Sequence, residues 1–108
     1  MNTVADLVSF LHDRWGEDER DADLFHELGC PASLETRRAA RCGCPCPAQI
    51  LDRIAVHRRI LIRCEHRMRH EQEQGPCWPL DSVLAFQSMK ALALPYELHP
   101  AWRDDWYP

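Results

Sequence analysis

The chain has little of what most enzyme motifs require. Only 4 of its 108 residues are glycine, and it contains neither a phosphate-binding glycine-rich loop nor a Gly-x-Ser-x-Gly nucleophile elbow. No two cysteines are separated by two residues, which excludes the thioredoxin-type redox motif. His66 and His70 have the spacing of a zinc-protease pair, but Glu71 follows the second histidine and not the first. We therefore expect a protein that is not an enzyme.

Long apolar runs are also missing, so the sequence predicts no membrane-spanning helix. The first residues lack the basic and apolar stretches of a signal peptide, and we expect a protein of the bacterial cytoplasm. In that reducing compartment the 6 cysteines should be thiols or metal ligands, while their even number leaves a disulfide framework as the alternative. A length of 108 residues predicts one domain over 1–108.

Lysine is nearly absent, and arginine supplies 12 of the 13 basic residues. The charges are also unevenly distributed along the chain. Residues 1–36 contain two arginines against nine acidic residues, whereas residues 37–69 contain nine arginines against two acidic residues. One interpretation is that an acidic first helix packs beside a basic second helix. The other is that the basic segment binds nucleic acid or an acidic partner. Because the whole chain has a net charge of −4, we favour the packing of the two helices.

Apolar residues at three- and four-residue spacing predict three helices, at about 3–28, 47–69 and 81–94. The first carries one apolar stripe, formed by Val4, Leu7, Val8, Leu11 and Trp15. The second carries a seam formed by Ile50, Ile54, His57, Leu61, Cys64 and Met68. Glycines and prolines predict a Cys-rich loop at 29–47 and a second loop at 70–80. No segment alternates as a strand does, so the fold class is a small all-α three-helix bundle.

The C-terminal tail, residues 95–108, holds two of the 4 tryptophans and both tyrosines. Trp102 and Trp106 are one helical turn apart, and Pro95 redirects the chain just before them. Exposing this much aromatic surface to water costs free energy, and a bundle this small needs additional burial. We predict that both rings and Tyr96 dock against the first or second helix, rather than protrude as a hook for a partner.

Cysteine spacing indicates a first candidate metal site around the loop. Cys30, Cys42, Cys44 and Cys46 would complete a tetrahedral zinc set, with His26 as an alternate ligand one helical turn before Cys30. A Cys-x-Cys pair makes a more cramped chelate than the Cys-x-x-Cys pair of most structural zinc sites. The alternative is a set of metal-free loop thiols, or a thiol or metal sensor built on residues 42–46.

A second candidate metal site consists of Cys64, His66, His70 and Cys77. His66 and His70 are one turn apart on a helix, and the Gly75-Pro76 segment could return Cys77 toward them. The spacing matches no zinc-finger signature. The alternative is that Cys64 packs in the core as a small hydrophobic residue while both histidines are solvated.

Three arginines of the second helix, Arg59, Arg63 and Arg67, lie on one face at four-residue spacing. We expect them to pair with the acidic stretch Glu17–Asp23 of the first helix and to contribute modestly to stability. The alternative is that they bind nucleic acid, which would make the protein a small nucleic-acid-binding regulator.

The tail reads Leu92-Ala93-Leu94-Pro95-Tyr96, then His99-Pro100, Trp106 and Pro108. This pattern resembles the C-terminal signature of an uncharacterised family of small proteins common in actinobacteria and their phages. Residues 4–11 and 48–54 resemble the opening and central helices of the same family. The resemblance implies a helical build and no particular activity. The Cys42–Cys46 cluster departs from the family pattern.

These observations together predict a non-enzymatic protein-interaction module of phage or actinobacterial origin, stabilised by zinc if the loop cysteines bind it. Its expected partner is another protein, with nucleic acid as the second choice and no membrane.

Overall fold

The computed structural model describes residues 3–24, 45–75 and 81–108, and within these ranges the chain forms helices and no strands. The three main helices are α1, Thr3–Asp21; α2, Pro45–Gln74; and α3, Asp81–Ala93. Short 3₁₀ turns follow at Ala22–Leu24, Leu94–Tyr96 and Asp104–Trp106. The predicted all-α three-helix bundle is confirmed, while the Cys-rich loop lies outside the described residues except for Pro45–Pro47.

Helix α2 is longer than the 47–69 that the sequence analysis predicted, so the predicted loops are corrected at their edges. It begins at Pro45, because a proline in the first helical turn lacks only an N–H that would have no partner within the helix. It ends at Gln74, where Gly75 adopts a φ of 90° and its N–H donates to the Glu71 carbonyl at 2.9 Å. Residues 45–47 and 70–74 are therefore helical, not loop.

Helix α1 is shorter than the predicted 3–28. Its regular turns end at Asp21, and the 3₁₀ turn Ala22–Leu24 follows. Residues 25–28 of the predicted helix lie outside the described residues. Helix α3, in contrast, ends within one residue of its predicted boundary, because Pro95 cannot continue an α-helix.

The core lies between the three helices and follows the predicted stripes closely. Its largest fully buried side chains are Leu7, Leu11, Trp15, Leu61 and Met89. Ile54, Cys64, Ala85 and Ala93 join the same cluster. In the described ranges, no helix combines the length and the apolar character that crossing a bilayer requires.

The aromatic tail docks on α1 around Phe10, which confirms the predicted docked tail. The Phe10 ring centroid lies 4.8 Å from that of Trp106, 6.1 Å from Trp102 and 6.3 Å from Tyr96. Trp106 is only 2% exposed and belongs to the core cluster. The tail is thus a fourth packing element of the bundle. Phe10 was not part of the predicted stripe, although it lies three residues after Leu7 on the same side of α1.

Candidate functional site

The first predicted metal site falls almost entirely outside the described residues. The site residues outside the described ranges are His26, Cys30, Cys42 and Cys44. Cys46 lies in the first turn of α2, and not in a loop as expected. A zinc site at these residues therefore stays a prediction.

The second predicted metal site is spread over residues with different environments. Cys64 is 7% exposed and packs in the core cluster, whereas His66 and His70 are exposed on α2 and Cys77 lies outside the described residues. Burial raises the pKa of the Cys64 thiol, which disfavours the thiolate that zinc binds. Among the residues the structure describes, no three His, Cys, Asp or Glu side chains are grouped so as to hold a metal. The packing alternative for Cys64 is the better supported one.

This environment predicts that Cys64 reacts much more slowly with iodoacetamide in the folded protein than in the unfolded chain. The thiolate is the reactive form, and each unit of pKa elevation lowers its fraction about tenfold, in addition to the steric protection of the core. Timed alkylation followed by peptide mass spectrometry measures the rate at each cysteine. At about 8 M urea a small domain is unfolded. The alkylation rate of Cys64 should then rise to that of the other cysteines. Equal native and denatured rates at Cys64 would contradict the burial.

The acidic helix α1 and the basic helix α2 meet through Arg58, not through the three arginines that were predicted. Arg58 Nη2 donates to Glu19 Oε1 at 2.5 Å. This hydrogen bond holds the pKa of Glu19 below its usual value and raises that of Arg58. Arg59, Arg63 and Arg67 are exposed, and no ion pair joins them to another described residue. The expected pairing of these three with Glu17–Asp23 is therefore not seen within the described ranges.

Helical geometry explains why Arg58 pairs with α1 and the three predicted arginines do not. Successive residues on an α-helix are about 100° apart around the axis, so Arg58 and Arg59 point to different sides. α1 packs on the side where Arg58 lies. The side that carries Arg59 faces away from it, which leaves its arginines in solvent.

The same outer side of α2 also carries exposed apolar residues. Val56 is 51% exposed and Ile60 is 37% exposed. Val56, Ile60, Arg63 and Arg67 follow each other at spacings of four, three and four, so they share one helix face, with Arg59 beside it. We call these five residues the α2 outer stripe.

Helix α3 presents a second unusual surface. Residues 82–96 contain a single charged side chain, Lys90, whose ammonium lies 4.5 Å from the centre of the Phe86 ring. On the solvent side, Val83 is 52% exposed, Leu84 is 49% exposed and Leu94 is 37% exposed. We call these residues, with the exposed Ala91, the α3 outer face. The exposed Gln87 and Ser88 lie between these residues on α3, so this side of the helix combines aliphatic and uncharged polar side chains.

A cleft of about 250 Å³ opens where α1, α2 and the start of the tail meet. Its polar lining comes from Asp18, Arg53, His57 and Tyr96. The Tyr96 hydroxyl donates to Asp18 Oδ2 at 2.5 Å, and burial together with this carboxylate raises the pKa of Tyr96. This hydrogen bond joins the start of the tail to α1. None of the described residues that line the cleft is a Ser, Thr or Cys nucleophile.

Sequence reasoning missed Arg14, the one buried charged residue in the described part of the chain. Its Nη2 donates to Glu17 Oε1 at 3.0 Å, its Nη1 lies 2.6 Å from His99 Nδ1, and its guanidinium lies 5.1 Å from the centre of the Phe10 ring. Its Nε has no hydrogen-bond partner among the described residues. The signal was present in the sequence, because Arg14 follows Leu7 and Leu11 at the spacing of the apolar stripe.

Comparison with known proteins identifies a family for the chain but no function. The model of a family of unknown function matches residues 4–108, which include α2, α3, the tail and all of α1 except its first residue. No curated protein and no solved structure matches the chain.

Proposed function

The chain belongs to DUF6221, a family of unknown function, and because this membership carries no activity we propose from the surfaces of the molecule that it is a non-enzymatic protein-interaction module. The α3 outer face is the observation that carries this proposal. Burying apolar surface contributes about 25 cal/mol per Å², so the exposed side chains of Val83, Leu84 and Leu94 favour association. With Lys90 as the single charge of residues 82–96, this face offers little to a nucleic acid and suits another protein.

The absence of an activity is supported by the composition of the cleft. Its lining residues supply one carboxylate, one guanidinium, one imidazole and one phenol. The phenol donates to Asp18, and the described lining residues place no side-chain nucleophile beside His57.

Photo-crosslinking tests the proposal directly. With p-benzoylphenylalanine in place of Leu84, we expect a discrete adduct with a protein in the native host cells, because that ring would lie in the interface. The same group in place of the exposed Glu73 of α2 is the matched control and should give none. The adduct at position 84 should disappear when Leu94→Ser is added, since Leu94 belongs to the same face.

Two outcomes would contradict the proposal. One is an adduct within the chain itself, which would mean that another of its segments covers the α3 outer face. The other is the same pattern of adducts at positions 84 and 73.

We extend the proposal to a structural zinc held by Cys30, Cys42, Cys44 and Cys46, with His26 as the alternate ligand. Four cysteines within residues 30–46 support it, since tetrahedral thiolate sites are built from such clusters. Elemental analysis of protein purified without chelator should find zinc bound in a fixed ratio to the chain. Metal-free protein whose loop cysteines oxidise reversibly would instead favour the thiol sensor.

A further inference from the structure

The α2 outer stripe carries positive charge that the described structure does not neutralise. Residues 53–69 contain six arginines and only one acidic residue, Glu65. Of these arginines, Arg58 is paired with Glu19, while Arg59, Arg63 and Arg67 are exposed without an ion pair to the described residues. Because the chain as a whole has a net charge of −4, this positive surface does not reflect a generally basic protein. It is local, and it favours a partner with negative charge.

The apolar residues of the stripe indicate which class of negatively charged partner it suits. Val56 and Ile60 are 51% and 37% exposed and lie on the same face as the arginines. A surface that contacts only phosphates gains nothing from exposed aliphatic side chains. An amphipathic helix rich in Asp and Glu can use both components, with carboxylates on the guanidinium groups and apolar residues on Val56 and Ile60.

Nucleic acid fits the stripe less well for two further reasons. The stripe has no aromatic side chain on which a base could stack, and no Asn or Gln to read a base edge. The acidic helix α1 is packed against the same α2, and its field opposes a densely charged duplex more strongly than a helix with a few carboxylates. Arginine also forms bidentate pairs with carboxylates, so its use here is compatible with a protein partner.

We propose that the α2 outer stripe is a docking site for an acidic amphipathic helix of a partner protein. The five stripe residues would lie along the axis of that helix, with the arginine side chains reaching its carboxylates. This proposal does not depend on the α3 outer face, because the residues and the type of contact are different. Failure of the crosslink at position 84 would leave it intact.

Fluorescence anisotropy of the full chain with three probes tests the proposal. The first probe is a labelled helical peptide with a leucine stripe flanked by glutamates. The second peptide has the same leucines with lysine in place of each glutamate, and the third probe is a labelled DNA duplex. We expect the acidic peptide to bind more tightly than either of the others, and its affinity to fall with added salt.

Two sets of variants assign the binding to the stripe. Changing Arg59, Arg63 and Arg67 together to Gln should weaken binding of the acidic peptide about tenfold, from three exposed ion pairs. Val56→Ser with Ile60→Ser should weaken it at low and high salt alike, because the apolar contact is not screened. The matched control, Arg20→Gln with Arg69→Gln, removes exposed arginines elsewhere and should change affinity by less than about twofold.

The stripe residues are exposed, so thermal melting of each variant should match the parent chain. Should Arg63→Glu abolish binding, a peptide with lysine at the facing position should restore it, which a merely unfolded variant could not show. Tighter binding of the DNA duplex, with no effect of Val56→Ser and Ile60→Ser, would identify a nucleic-acid surface and overturn the proposal. Equal binding of the acidic and basic peptides would overturn it as well.

Discussion

Replacing Trp106 with alanine is expected to lower the free energy of unfolding by about 3–5 kcal/mol, the usual cost of truncating a buried aromatic side chain. Trp106 is 2% exposed, and its ring lies 4.8 Å from that of Phe10 and 5.6 Å from that of Trp102, centre to centre. Its removal would leave a cavity between the tail and α1, which the short 3₁₀ turn Asp104–Trp106 could refill only in part. Urea unfolding followed by circular dichroism measures the change.

Tyr107 is the matched control, because it is the next residue and is 46% exposed. Tyr107→Ala should cost less than about 1 kcal/mol, as expected for a surface position. Deleting residues 96–108 should be at least as costly as Trp106→Ala. If the truncated chain melted like the full one and instead lost a binding partner, the tail would be an interaction hook and its packing on α1 would not stabilise the fold.

The second large effect on the free energy of unfolding is expected at the buried Arg14. Here the order of two variants, Glu17→Ala and Arg14→Met, is informative. Glu17→Ala removes the carboxylate that Arg14 Nη2 contacts at 3.0 Å, and leaves a guanidinium whose side chain is only 10% exposed. Leaving a buried charged group without one of its hydrogen-bond partners costs about 1–3 kcal/mol. Asp13→Ala is the control, because it removes an exposed carboxylate from the same helix.

Arg14→Met should cost less than Glu17→Ala, although it removes the whole charged group. Methionine replaces the aliphatic stem of the arginine, keeps the contact with Phe10, and avoids the desolvation of a charge. Glu17 would lose its partner, but its side chain is 42% exposed and can be solvated by water, so no buried charge is left unpaired. The contrary order, with Arg14→Met the more damaging, would show that the contact between Arg14 and His99 stabilises the docked tail more than burial of the charge opposes it.

Both predictions concern one unit of the structure, the contact between α1 and the tail. Phe10 and Trp106 supply its apolar part, while polar contacts lie on its borders. Tyr96 donates to Asp18 at 2.5 Å, and Arg103 Nη1 donates to Asp6 Oδ2 at 2.7 Å. These half-exposed pairs add less to stability than the aromatic core, but they determine where along α1 the tail lies.

The sequence by itself determined the helical class and most of the core. Leu7, Leu11, Ile54, Leu61 and Met89 are buried as their spacing predicted, because helical periodicity is a local property that a chain shows without its neighbours. The ends of α2 were within reach of sequence reasoning too. Prolines in its first turn and Gly75 after its last turn are local signals of where the helix begins and ends. The predicted loop boundaries did not follow them.

The tertiary structure alone decided which charges meet. Arg58 pairs with Glu19, and Arg59 next to it does not, because the side on which α1 packs against α2 depends on contacts between residues far apart in the chain. The same holds for the burial of Arg14 under the tail, where the two contacting residues are 85 positions apart. Periodicity tells which residues share a helix face, whereas the position of the other helices determines which face meets protein and which meets water. The α2 outer stripe is on the water side for that reason.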